Sequence, residues 1–300
     1  MPVPRFDYIA PTTVDEAVAL LVKGGKDARI MAGGTDLLVK IRHRMLFPER
    51  IVSLKRIAGL DTIAFDTHRG LTIGATTLLA DVAAHPDVRR HYPTVAEAAG
   101  STANVQVRNM GTVVGNLCNA SPSADNAPTL MAMGAAVDIA GPDGTRSMPL
   151  DQFFQGPGVT ALKSGEIVTA IQVPPPPAGT GTAYHSLSQR GKLDCSAVGV
   201  GTMVVLEKQC CTHARLIVGA CAPVPMRTKG AERILVGKQM TDSLIREAAQ
   251  AASEETSPIT DVRASAPYRW KMVTVLTIRA LTDARKMALP KRNSKKKDFP

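Results

Sequence analysis

Arg29-Ile30-Met31-Ala32-Gly33-Gly34-Thr35-Asp36-Leu37-Leu38-Val39-Lys40 sets two adjacent glycines between an apolar run and a segment of helical character. Residues 28–31 read as a short buried strand and residues 37–44 as a helix. A strand that ends in Gly-Gly and enters a helix can expose consecutive backbone N–H groups, which form a nest for an anion. A side chain at either glycine would block close approach. The alternative is a plain tight turn. No Gly-Lys-Ser/Thr follows, so this is not a Walker loop, and the spacing is not GxGxxG. An inward-facing Asp36 would repel a phosphate, so it is expected to cap the helix and face away.

The neighbouring residues repeat the strand–helix alternation. Thr13-Val14-Asp15-Glu16 has the form of a capping box. Val14, Val18 and Leu21 follow at helical spacing, and Gly24-Gly25 ends the stripe. Residues 51–54 read as a further strand. A small α/β unit over residues 1–56 follows from this pattern.

A mixed pattern replaces it over residues 57–177. Strands are predicted at 70–75, 135–140 and 166–173, with a turn at Gly141-Pro142-Asp143-Gly144. Helices are predicted from a Thr77 cap through His85, closed by Pro86, and over 93–100. Residues 174–181, rich in Pro and Gly, mark a domain boundary. Residues 178–288 then read as an antiparallel sheet (183–187, 197–206, 214–220) followed by helices at 242–255 and 267–287. The fold class is α+β, in three parts, with residues 289–300 as a basic disordered tail.

The chain has 300 residues, enough for about two domains. Aromatics contribute only 4%, so aliphatic side chains must dominate the core. No apolar run is long enough for a membrane span, and the N-terminus lacks an apolar signal region, so a cytoplasmic protein is expected. The formal charge of +10 lies partly in the tail. Without basic–aromatic interleaving or a known module, nucleic-acid binding is not expected. The five cysteines are odd in number and form no CxxC, which argues against a disulfide framework or a metal site. Most are expected to be small buried thiols. The histidines are scattered: His68, His85, His91, His185 and His213 suggest no triad, and His43 sits between two arginines on a solvated helix face.

A second stretch matches the first in kind. Residues 111–125, GTVVGNLCNASPSAD, are dense in Gly, Thr, Asn and Ser, and Asp125 is their only acid. A surface loop is one reading, but Val113, Val114 and Leu117 argue against a fully solvated one. Burying such polar groups is costly without partners, and a long polar ligand would supply them. A carboxylate suits sugar hydroxyls because it accepts more than one hydrogen bond. Two such stretches about eighty residues apart suggest one extended ligand, and a dinucleotide fits.

With AGGTDLL at 32–38 and GTVVGNLCNASPSADNAPTL at 111–130, the chain resembles the FAD-binding medium subunits of the molybdenum hydroxylases, of the carbon monoxide, nicotinate and xanthine dehydrogenase types. LKSGEIVTAI at 162–171, SQRGKLDCSAV at 188–198 and PYRWKM at 267–272 support the resemblance, which spans about residues 3–288. It implies that the first two parts form one FAD-binding domain of the vanillyl-alcohol-oxidase/PCMH-like kind. Arg29, Ile30, Met31, Ala32, Gly33, Gly34, Thr35, Asp36 and Leu37 would wrap the pyrophosphate and adenosine side of FAD. Thr112, Val114, Gly115 and Asn116 would form a second pyrophosphate loop, with Gly111 and Cys118 alongside. Thr102 would lie near the cofactor, Asp125 would hold a hydroxyl, and Ile167 and Lys192 would approach from beyond these motifs.

The chain departs from the family pattern where Val113-Val114-Gly115 replaces a frequent Gly-Gly pair, so Val114 must adopt a φ that a β-branched residue tolerates. The cysteine insertion of the 4-hydroxybenzoyl-CoA reductase branch is missing, so no metal is expected in this chain. The resemblance implies electron transfer. A large molybdenum-cofactor subunit would oxidise substrate, a small subunit with two [2Fe–2S] clusters would relay electrons, and FAD would pass them to an acceptor. A dimer of heterotrimers is common in the family. The cofactor does this chemistry, so no catalytic acid, base or nucleophile is named. One alternative is a self-sufficient flavin oxidase or reductase, with Tyr184 or Lys192 handling protons. Another is a binding module for anions or nucleic acid.

Overall fold

The computed structural model describes residues 4–191 and 194–289. Lys192 and the basic tail from residue 290 lie outside the described residues. The chain opens with β1 (Asp7–Ile9), α1 (Val14–Gly24), β2 (Ala28–Met31), α2 (Leu37–Arg42) and β3 (Arg50–Ser53). These strands form a parallel sheet in the order β1-β3-β2. Thr13 starts α1 by accepting from the Glu16 amide at 3.2 Å. Glu16 reaches back to the Thr12 amide at 2.9 Å rather than to Thr13, so the capping box closes one residue further out.

Next come β4 (Ile63–Asp66), β5 (Gly70–Gly74), α3 (Leu79–Ala84), α4 (Pro86–His91), α5 (Pro93–Ser101), α6 (Val105–Arg108), α7 (Val113–Cys118) and α8 (Asn126–Ala132). Thr77 does not cap α3. Its hydroxyl donates to the Thr62 carbonyl, and Leu78 holds the N-cap position without a side-chain bond. Pro86 ends α3 but also opens α4, because a proline at the first helical turn forfeits no internal bond. Residues 101–130 hold three short helices rather than a loop.

β6 (Ala136–Gly141), β7 (Gly144–Pro149), β8 (Phe154–Gly156), β9 (Val159–Thr160) and β10 (Ile167–Val173) complete this part. The five-stranded sheet runs β4-β5-β10-β6-β7, antiparallel throughout, and β8 pairs with β9 separately. β10 is the central strand, and Ile167, Val168, Ile171 and Val173 are buried. One apolar core joins Ala17, Val18 and Leu21 of α1 to Val52 of β3, to this sheet and to α3, α4, α5, α7 and α8.

β11 (Thr180–Leu187), β12 (Val198–Glu207), β13 (Cys210–Gly219) and β14 (Met226–Arg227) form an antiparallel sheet in that order. α9 (Lys229–Leu235), which the sequence reading missed, is followed by α10 (Asp242–Glu254) and α11 (Ala266–Ala288). Leu276, Ala280, Leu281 and Ala284 place one stripe of α11 in a second core with β11–β13. Pro128 of α8 sits on the backbone of Gly201 in β12, where a methyl group would fall 2.5 Å from the Pro128 carbonyl oxygen. That contact brings the start of α8 up to the C-terminal sheet. Of the five free cysteines, Cys211 and Cys221 are buried, Cys118 and Cys210 are half-buried and Cys195 is exposed.

Candidate functional site

β2 delivers the chain into the first glycine turn, and α2 carries it away. Gly34 has φ +76°, a backbone conformation that L side chains rarely adopt. The amides of Gly33, Gly34, Thr35 and Asp36 meet no acceptor among the described residues. The second turn begins at Thr112, whose hydroxyl accepts from the Gly115 amide at 2.9 Å and so fixes the start of α7. The Val114 amide likewise meets no acceptor among the described residues, while Thr112 bridges antiparallel to Leu78. Val114 lies in the first turn of α7, where a β-branched residue carries no positive-φ strain.

The two turns touch. A methyl group on Gly33 would fall 2.7 Å from Gly111 Cα, and one on Gly111 would fall 3.3 Å from Thr35 Oγ1. Between and beside them opens a cavity of about 570 Å³, within the range of small-molecule and cofactor sites. Arg29, Ile30, Met31, Ala32, Gly33, Gly34, Thr35, Asp36 and Leu37 line one side. Thr102, Gly111, Thr112, Val114, Gly115, Asn116, Cys118, Asp125 and Ile167 line the rest. The fold therefore brings together every candidate cofactor-binding residue that lies within the described positions.

Polar contacts fix the walls. Asn126 Nδ2 donates to Thr102 Oγ1 at 3.1 Å and to Asn116 Oδ1 at 3.0 Å, tying α7 and α8 to the end of α5. Arg29 turns its guanidinium onto the carbonyls of Lys26 and Ala28, at 2.7 and 2.9 Å. Burial pushes the Cys118 thiol up to about 12, so it stays protonated and is no nucleophile.

Asp36 corrects the sequence reading. It occupies the N-cap position of α2 but makes no side-chain bond to that helix. Its backbone is already helical, and its exposed carboxylate stands at the cavity rim. There it accepts from Asn119 Nδ2 at 3.1 Å, while Lys40 Nζ donates to Asn119 Oδ1 at 2.7 Å. Crowding by protein raises the Asp36 carboxyl above its ordinary range, and Lys40 opposes the rise. Lys40 and Asn119 were both missed. Lys40 stands one helical turn beyond Asp36, a spacing that could have signalled it. Asp194 and Cys195 also line the cavity, from the 188–198 segment.

Asp125 accepts from Tyr184 at 2.6 Å and from Ser196 at 2.7 Å. Burial raises its carboxyl above the usual value, and the two hydroxyl donors pull it back. Tyr184, the proton-handling candidate of the self-sufficient oxidase reading, is thus committed to Asp125. Among the described residues no group of three His, Cys, Asp or Glu is placed to hold a metal ion. No described helix is long and apolar enough to cross a membrane.

Residues 4–176 match the family described as the FAD binding domain in molybdopterin dehydrogenase. The chain belongs to the FAD-binding medium subunits of the molybdenum hydroxylases. Residues 183–284 of this medium subunit match the CO dehydrogenase flavoprotein C-terminal domain. The carbon monoxide dehydrogenase medium chain of Hydrogenophaga pseudoflava is 35% identical over 281 residues, covering 94% of this chain and 97% of that one. The 6-hydroxypseudooxynicotine dehydrogenase complex subunit alpha of Paenarthrobacter nicotinovorans is 32% identical over 292 residues, covering 97% and 98%. The solved carbon monoxide dehydrogenase of H. pseudoflava superposes with TM-score 0.92 at 36% identity, over 96% of this chain and 99% of that one. Quinoline 2-oxidoreductase of Pseudomonas putida 86 gives 0.90 at 28% identity, over 97% and 100%. The medium subunit is an oxidoreductase flavoprotein chain, with a PCMH-like FAD-binding part and a C-terminal α+β part.

Proposed function

We propose that FAD occupies the cavity between the two glycine turns and serves as the exit point for electrons in a molybdenum hydroxylase complex. The observation that carries this reading is the contact between Gly33 and Gly111, which sets unpartnered amides of both turns at the edge of one cavity. The donor set suits the cofactor. Amides at residues 33–36 and at Val114 would grip its diphosphate, and the bare glycine backbones let that group approach. Asp125 would accept a sugar hydroxyl. The Thr102–Asn126–Asn116 chain would keep the wall in place. Asp36 is held off the diphosphate by Asn119 and Lys40, and Lys40 adds positive charge at the rim. Bound there, the flavin would take electrons singly and release them in pairs, while these residues bind and orient it.

The partners would be a large molybdenum-cofactor subunit and a small subunit with two [2Fe–2S] clusters, assembled as a dimer of heterotrimers. Relatives named as a medium chain and as a complex subunit support a multi-subunit setting. The experiment is a tagged purification from the native source. A yellow preparation with a larger and a smaller partner, molybdenum and iron is the expected result. A colourless chain, or a yellow chain that oxidises substrate alone, would overturn the assignment.

A further inference from the structure

Asp125 uses its carboxylate in an unusual way. It stands at the N-cap position of α8, where an aspartate commonly bonds the amides of its own helix, yet it makes no such bond. Instead, two hydroxyl donors converge on one oxygen. Tyr184 of β11 donates to Oδ1 at 2.6 Å, and Ser196, just before β12, donates to the same Oδ1 at 2.7 Å. Tyr184 and Ser196 are buried. The second oxygen, Oδ2, accepts from no described residue, and Asp125 lines the cavity.

Tyr184 belongs to the C-terminal sheet, and Ser196 precedes its strand β12 and is held against it. Tyr184 pairs with Gly201 across β11 and β12. Ser196 is pinned through Ala197, whose amide donates to the Leu187 carbonyl at 2.7 Å. The Ala197 carbonyl accepts from Arg269 of α11 at 2.9 Å. An oxygen that receives two O–H donors must act as an acceptor, and that favours the ionised carboxylate. Each such charge-assisted bond is stronger than its neutral equivalent.

We propose that Tyr184 and Ser196 are positioning residues that hold Asp125 ionised, with its free oxygen turned to a hydroxyl on one of the cofactor's two sugar chains. The C-terminal sheet is therefore part of the cofactor's seat, although the two glycine turns lie outside it. The proposal rests on the reading that FAD fills the cavity.

The test is the FAD dissociation constant of the flavin-stripped full chain across a pH series. Wild type is compared with Tyr184→Phe, Ser196→Ala, Ser196→Thr and Asp125→Asn, each checked for folding by thermal unfolding. Tyr184→Phe and Ser196→Ala should each weaken FAD binding by about ten-fold near neutral pH, the scale of one hydrogen bond to a charged group. The pH below which affinity declines should move upward in both, because each loses a donor that favours the ionised form. Ser196→Thr should restore the wild-type curve. Asp125→Asn should abolish the pH dependence and make Tyr184→Phe silent. FAD analogues lacking a hydroxyl on the ribityl chain or on the adenosine ribose identify the bonded group, since only the relevant analogue should lose sensitivity to Tyr184→Phe. If wild type binds FAD while the folded variants keep its affinity and pH curve, the proposal falls. A loss that is uniform with pH would also overturn it. If Tyr184→Phe does not fold, Ser196→Ala decides. Failure of wild type to bind FAD at all would instead refute the function proposed above.

Discussion

Gly33 and Gly111 meet backbone to backbone. A methyl group on Gly33 would fall 2.7 Å from Gly111 Cα and closer still to the Met110 carbonyl. Seventy-eight residues of sequence separate two turns that share one contact. Whatever the cavity holds is therefore gripped by a junction, and the junction tolerates no Cβ on the Gly33 side.

Gly33→Ala should force the turns apart. Overpacking of this kind costs about 1–3 kcal/mol. FAD affinity should fall by roughly ten-fold, equivalent to about 1.4 kcal/mol, and the flavin-to-protein ratio after purification should drop with it. Gly59→Ala is the control, since that glycine has positive φ, unlike Gly33, and faces open space. It should lose stability by about 1–2 kcal/mol from backbone strain and keep its flavin. Absorbance ratios and denaturation midpoints measure both effects.

Thr112→Val keeps the shape of a buried residue and removes the hydroxyl that accepts from the Gly115 amide. Loss of this cap should cost about 1 kcal/mol. The denaturant midpoint should fall with an unchanged slope. Flavin affinity should weaken as well, because the start of α7 lines the cavity.

Arg269→Met should be the most damaging single change in the C-terminal part. The buried guanidinium donates to the carbonyls of Ala197 and Ala220, at 2.9 and 2.7 Å, and pairs with Asp261 at 2.6 Å. Removing it strands the Ala197 and Ala220 carbonyls, at a cost of about 1–3 kcal/mol each, while Asp261 keeps the Arg263 and Ala264 amides and the Arg263 guanidinium. Urea unfolding reads the loss. A change below about 1 kcal/mol would show that water or a shifted side chain replaces it.

Asp125→Asn should change how stability depends on pH in the flavin-stripped protein. Burial raises the folded-state carboxyl above its ordinary value of 3.8. Between the unfolded and folded values the native state holds more protons, so wild-type stability is full below the unfolded value and falls as pH rises through the folded one. The asparagine variant lacks that loss. Its unfolding temperature should gain on wild type from about pH 4 upward and then level off once the native carboxyl has ionised. A difference that stays constant with pH would contradict the burial argument.

Much of this site was legible in the sequence because its signals are local. A glycine pair that leaves amides bare, Thr13 three residues before the Glu16 amide it caps, and the periodicity of α10 and α11 all act within a few residues. The short helices of residues 101–130 were not legible. Their Gly, Thr, Asn and Ser content has low helix propensity; α7 and α8 rest on burial of Val113, Leu117 and Leu130, and α6, which buries no residue, starts from its Asn104 cap. Asp36 was misjudged for a related reason. An aspartate at a helix start has two uses for its carboxylate, and only the presence of Asn119 decides between them.

By itself, the sequence determined the class of the fold, the two turns and the family, because backbone freedom and capping depend on neighbouring residues alone. Tertiary structure decided which turn meets which, that Asn119 and Lys40 engage Asp36, and that Tyr184 and Ser196 share one oxygen of Asp125. Those pairs join residues far apart in the chain. Their geometry exists only after both cores have closed, and no local preference encodes it.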